Sequence, residues 1–170
     1  MIRPILTYPD PVLKQQSEPV TAFDSALQEV IQDMVETMYA APGIGLAAPQ
    51  IGILKRIVVV DLKSGAEGAQ LFVAVNPEIV SCTGEQYGEE GCLSVPDVYE
   101  SVWCPQKIVL RAQDVKGTEW TLEAEDLLAR CFCHELDHLR GVLFIDRLSP
   151  LKRSLVKRRL KKAQAARQES

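Results

Sequence analysis

Both histidines of this 170-residue chain fall in one stretch, Cys131-Phe132-Cys133-His134-Glu135-Leu136-Asp137-His138-Leu139-Arg140-Gly141. In a helix, residues four apart share a face about one turn apart. His134 and His138 can therefore turn ring nitrogens toward one ion. Glu135 lies about 100° further round the helix, where it can reach a water on that ion without being a ligand. This is the H-E-x-x-H arrangement, in which a metal lowers the pKa of water and the glutamate takes its proton. The plain alternative is a chance pairing on a core helix, with both imidazoles satisfied by hydrogen bonds. That the pattern takes up every histidine of the chain weighs against it.

A catalytic metal of this kind wants three protein ligands and an open position. A third histidine six residues after His138 is missing, because Phe144 stands there. Asp146 follows a helix stop, and Glu169 lies in a polar tail, a poor place for a ligand. Cys131 is seven residues from His138, about 10.5 Å along a helix axis, too far to share an ion without strain. Cys131 reads better as a small apolar residue beside the metal. Cys133 points about 100° away from the histidine face. Cys82 and Cys104 have no charged neighbours that mark a reactive thiol. Cys92 follows Gly88-Glu89-Glu90-Gly91, where glycine allows close backbone approach. Cys92 therefore leads among the cysteines, without the spacing deciding it.

The surrounding elements must present these groups. Apolar residues at Leu27, Val30, Ile31, Met34 and Met38 have helical spacing, with Asp24 or Ser25 as N-cap and Pro42-Gly43 as the stop. Gly43 to Gln50 reads as a loop of small residues. Strands are expected at Arg56–Leu62 and Leu71–Val75, the second broken by Asn76-Pro77. Thr83–Gly91 reads as a polar loop. Lys107–Asp114 and Trp120–Leu122 read as strands that Gly117 could join as a hairpin. A second helix is expected from about Ala124 to Arg140, closed by Gly141 in the left-handed conformation. Helix, strands, helix is an α+β order in one domain.

Composition narrows the classes. Five cysteines, odd in number and unevenly spaced, suit free thiols or a metal ligand in a reducing compartment. The apolar runs are far too short to span a bilayer, and "MIRPILTYPDPVLK" lacks the run a signal peptide needs. A cytoplasmic protein with no membrane partner is the expectation. Residues 152–170 hold eight Lys/Arg and one acid, against 11 Lys/Arg and 22 Asp/Glu in the preceding 151 residues. The tail is expected as a helix whose Leu151, Leu155 and Leu160 touch the body. A sharper reading docks its basic face on nucleic acid, ribosomal RNA included.

Three blocks together resemble peptide deformylase: Gly43-Ile44-Gly45-Leu46-Ala47-Ala48-Pro49-Gln50, Glu90-Gly91-Cys92-Leu93-Ser94, and His134-Glu135-Leu136-Asp137-His138. The resemblance runs from Tyr8-Pro9-Asp10-Pro11 to Leu148-Ser149-Pro150-Leu151-Lys152. It implies antiparallel sheets packed around a central metal-binding helix, with an N-terminal and a C-terminal helix. Residues 1–150 would form the catalytic domain and 151–170 a basic tail of it. It implies a metallohydrolase that removes the formyl group from N-terminal formyl-methionine of new polypeptides. By position, Cys92, His134 and His138 would hold one divalent ion. Fe(II) is the usual physiological ion, and Zn, Ni or Co would suit the donors. Glu135 would be the general base, while Gln50 and the Leu93 N–H would hold the oxyanion. Gly45 would meet the substrate backbone, and Ile44, Leu127 and Cys131 would line a methionine slot. The enzyme is expected as a monomer, with formyl-methionyl nascent peptides as partners and a ribosome contact through the tail.

The chain departs from the family pattern in three places. Cys133 replaces a common Gln. Trp103-Cys104 stands where many relatives carry an Arg that pairs with Glu90, so Glu90 needs Arg111 or a backbone donor instead. Gly88 replaces an apolar residue near the slot, which would leave the slot more open. Two other classes fit the histidine motif. One is an endopeptidase with a third ligand other than Cys92, the other a non-catalytic module built on a closed zinc site.

Overall fold

Helix α1, Ser25–Ala40, starts where Asp24 accepts a hydrogen bond from the Leu27 N–H at 3.0 Å. Its Leu27, Ile31, Met34 and Met38 are buried on one face. The computed structural model describes residues 1–169, and in it that face packs on a five-stranded antiparallel sheet. The strands are β1 (Gly45–Ala47), β2 (Ile57–Val60), β3 (Phe72–Thr83), β6 (Lys107–Gln113) and β7 (Glu119–Glu125), in the order β1-β2-β3-β6-β7. Two further strands, β4 (Gln86–Cys92) and β5 (Val95–Cys104), form a separate hairpin. Helix α2 is Asp126–Leu139 and helix α3 is Pro150–Glu169.

Strand β2 shows why the site helix sits in the middle. All four of its residues are buried, as a strand covered on both faces requires. Ile57 and Val59 face α1, while Val58 and Val60 face the opposite core with Phe132, Leu136 and Leu139 of α2. One sheet thus separates two helices, and α2 is gripped by its apolar stripe. The hairpin closes over a third core, in which Val95, Val98 and Val102 meet Phe144, Ile145, Val156 and Leu160. The α+β architecture with a central helix agrees with the expectation.

Several local expectations need correction. Asn76-Pro77 does not end β3. Asn76 takes a left-handed φ of 52° at a register shift and the strand runs on to Thr83. The Asn76 side chain holds this bulge, bonding the Val20 N–H and carbonyl and the Gln113 amide at 2.8–2.9 Å. The polar stretch before Cys92 is strand rather than loop, paired along its length with β5. The small-residue segment contains β1 and a short 3-10 turn, Ala48–Ile51. The tail is helical as expected, but Val156 and Leu160 anchor it, whereas Leu151 and Leu155 are exposed. The last tail residue, Ser170, lies outside the described residues. No helix among the described residues is long and apolar enough to cross a membrane.

Candidate active site and metal centre

Helix α2 brings His134 and His138 to one face, with ring centroids 5.0 Å apart. It ends at Gly141, whose φ of 76° is the left-handed stop expected from sequence. A Cβ there would sit 2.3 Å from the Lys14 carbonyl oxygen, so only glycine fits. One turn along from His134, α2 is pinned by Asp137. Its two carboxylate oxygens accept from Arg147 Nε and Nη2 at 2.6 and 2.7 Å, and Arg140 adds a further bond.

Cys92 arrives from the other module. It ends β4 at a register shift, just before the tight turn at Leu93-Ser94. Its Sγ lies 3.3 Å from His138 Nε2. One ligand atom from each of Cys92, His134 and His138 falls within 4.8 Å of the others. This is the one such group among the described residues. The donor set suits a borderline-soft divalent ion. Beside them the buried Glu135 Oε2 has no hydrogen-bond partner among the described residues, as a carboxylate kept for a reaction would. The convergence of a thiol and two imidazoles, with His138 Nε2 turned to the Cys92 sulfur, fits a metal.

Second contacts orient these groups. The Glu90 carboxylate receives His134 Nδ1 on Oε1 at 3.0 Å, leaving Nε2 for an ion. Its Oε2 accepts from Arg130 Nη1 at 2.6 Å. Gln50 is held by the Ala47 N–H, which donates to its Oε1 at 2.9 Å. That fixes the amide so that Nε2 points at Ser94 Oγ (3.1 Å) and Cys92 Sγ (3.6 Å). Glu135 is buried, and its Oε1 is 3.9 Å from His134 Nε2. Burial raises the Glu135 pKa to about 7, against the opposing pull of His134. Burial disfavours an imidazolium at both histidines. At His138 it wins and the pKa falls well below the usual value. At His134 it is outweighed by Cys92, Glu90 and Glu135, and the pKa rises.

A cleft of about 490 Å³ opens onto these groups. Ile44, Gly45, Leu127 and Cys131 line it together with Gln50, Leu93 and Glu135. Ile44 and Leu127 stay 38% and 50% exposed, apolar surface that an occupant could cover. His138 lies behind the cleft, fully buried. Gly45 belongs to β1, which ends the sheet order and has one neighbour strand, β2. A Cβ at Gly45 would come within 2.9 Å of both Glu135 Oε1 and Cys131 Sγ. Gly45→Ala is therefore expected to displace Glu135 and cut turnover at this site by on the order of 10²-fold, as a misplacement near 1 Å does. Parallel circular dichroism should show the fold retained.

The profile for polypeptide deformylase matches residues 2–154. The chain belongs to the polypeptide deformylase family. As a deformylase it is a metallohydrolase that removes the N-terminal formyl group from nascent polypeptides. It is 54% identical to the peptide deformylase of Acidobacterium capsulatum over 98% of both chains. It is 50% identical to that of Rhizobium meliloti over 95% of this chain and 94% of the other. The crystal structure of a peptide deformylase from Legionella pneumophila superposes with a TM-score of 0.93 at 46% identity, covering 100% and 99% of the two chains. That of Ehrlichia chaffeensis peptide deformylase in complex with actinonin gives 0.89 at 38%, covering 95% and 97%. Membership sets aside the endopeptidase and closed-zinc-module readings.

The departures from the family pattern resolve as follows. Glu90 is partnered by Arg130, not by Arg111, which pairs with Glu78 and Glu119 across the sheet. A Cβ at Gly88 would lie 3.2 Å from the guanidinium of Arg130, which itself lines the cleft. Cys133 lines a second cavity behind His134, away from the cleft, as its helix position implied. Sequence reasoning missed Arg130, as well as Pro96, Asp97 and Tyr99 at the cleft mouth. The Tyr99 ring lies against Gly91, where a Cβ would be 2.6 Å from it; no local signal marked that contact.

Proposed function

We propose that this deformylase hydrolyses the formamide of formyl-methionyl peptides with Cys92, His134 and His138 as metal ligands and Glu135 as the proton carrier. The observation that supports this most directly is the convergence of one thiol and two imidazoles within 4.8 Å of one another, with Cys92 and His134 lining a cleft and His138 behind it. When bound, a divalent ion supplies the Lewis acidity that makes water nucleophilic at neutral pH. Glu135 takes a proton from the attacking water and returns it to the leaving amine, a role suited to a buried carboxyl near pH 7. The Gln50 Nε2, already fixed by its bond from Ala47, donates to the developing oxyanion together with the Leu93 N–H. Gln50 carries no charge that would hold formate after the bond breaks.

The substrate enters as an extended strand beside Ile44 and Gly45, on the side of β1 away from β2. Its methionine side chain covers Ile44, Leu127 and Cys131. A thiolate with two imidazoles suits Fe(II), and Zn, Ni or Co can replace it. The exposed cations Lys152, Arg158, Arg159, Lys161 and Lys162 of α3 would meet ribosomal RNA, and the monomeric enzyme would work in the cytoplasm. Deleting residues 152–170 should then lower ribosome affinity at low salt. The deciding experiment incubates the protein anaerobically with a formyl-Met peptide and assays formate. Release is expected with Fe(II), and after aeration with Ni(II) or Co(II) but not with Fe(II). An absence of formate with every ion would overturn the reading.

A further inference from the structure

We propose that Arg130 is a positioning residue for the deformylation reaction, locking the hairpin that carries Cys92 to the helix that carries both histidines. This rests on the metal-triad reading above. The three ligands come from two modules that share no strand pairing: Cys92 from the β4–β5 hairpin, His134 and His138 from α2. Their mutual spacing therefore needs a tie that does not depend on the ion.

Arg130 lies one turn before His134 on α2, and its guanidinium engages both strands of the hairpin. Nη1 donates to Glu90 Oε2 at 2.6 Å and to the Val102 carbonyl at 3.2 Å. Nη2 reaches the Gln86 carbonyl at 3.5 Å. The Arg130 and Glu90 side chains are only 8% and 9% exposed, so little water screens the pair. The other Glu90 oxygen holds His134 Nδ1. One carboxylate thus transmits the position of the guanidinium to the imidazole. Gly88 makes room for this, since a Cβ there would lie 3.2 Å from Arg130 Nη2. The planar fork of arginine can serve the carboxylate and two carbonyls together, which a lysine ammonium cannot do in that geometry.

The test uses Co(II)-loaded full-length protein, with the sulfur-to-cobalt absorption band and the rate of metal loss to a chelator as readouts beside formate release. Arg130→Met is expected to speed metal loss by about 10–100-fold, the usual effect of removing a group that orients a ligating imidazole. It is also expected to shift the band and to lower kcat more than it raises KM. An Arg130→Met protein that keeps the wild-type band and metal-loss rate overturns the proposal. If Arg130→Met does not fold, Arg130→Lys decides: intermediate metal loss supports the role and an unchanged rate ends it. Wild-type protein that binds Co(II) without any sulfur band would instead sink the triad reading itself.

Discussion

Replacing Glu135 by Gln is expected to leave the metal bound and to abolish deformylation. Glu135 is buried, and one carboxylate oxygen has no partner among the described residues. An amide keeps the volume against Gly45, where the backbone leaves no room for a different shape. It cannot carry a proton. General acid–base catalysis typically contributes 10²–10⁴-fold, and here one group would serve both halves of the reaction, so a loss of about 10³–10⁴-fold is expected. Metal content by elemental analysis should match the wild type, because Glu135 is not among the three clustered ligand groups. A variant that still releases formate at a rate near wild type would show that the proton is carried elsewhere.

Replacing Cys92 by Ala is expected to strip the ion. Structural zinc sites with four ligands bind with roughly 10–16 kcal/mol, so one strong ligand is worth about 3–4 kcal/mol, or on the order of 10²–10³-fold in affinity. The thiolate also makes the site soft, and two imidazoles alone select poorly among divalent ions. Cys92→Asp should bind weakly, since an oxygen donor replaces sulfur at a similar reach. Dialysis against a mild chelator followed by metal analysis distinguishes the three proteins. The fold should survive, because Cys92 stands at the end of its strand and only borders the core built on Val95, Val98 and Val102. Wild-type metal retention in Cys92→Ala would mean that another residue completes the site.

What could be read from sequence followed the range of the signal. Helix α1 was legible because its stripe of Leu27, Ile31, Met34 and Met38 recurs at a local period. The two histidines were legible for the same reason. The hairpin was not, since Gln86 to Gly91 is polar and glycine-rich, and its strand character comes from pairing with β5. Physical reasoning left Cys92 undecided, because its partners lie 42 and 46 positions away and no local period links them; only the likeness to a family named it. Arg130 looked like one more charged helix residue. Its role depends on Glu90 across the fold, and on the absence of a side chain at Gly88. Of the three tail leucines expected on the body only Leu160 packs there, and Val156 takes the other place.

The grip of Arg147 on Asp137 bears on tolerance at the metal. Asp137 sits between the two histidines in sequence and beside His134 on the helix, clamped by two bonds to one planar guanidinium. Ring nitrogens stand roughly 6 Å from a helix axis, so a roll of ten degrees would swing them by about 1 Å. Coordination bonds allow only about 0.2 Å of slack. Torsional stiffness of α2 is thus set partly by a clamp outside the three ligand groups, and a substitution at 147 would loosen their geometry without removing any of them.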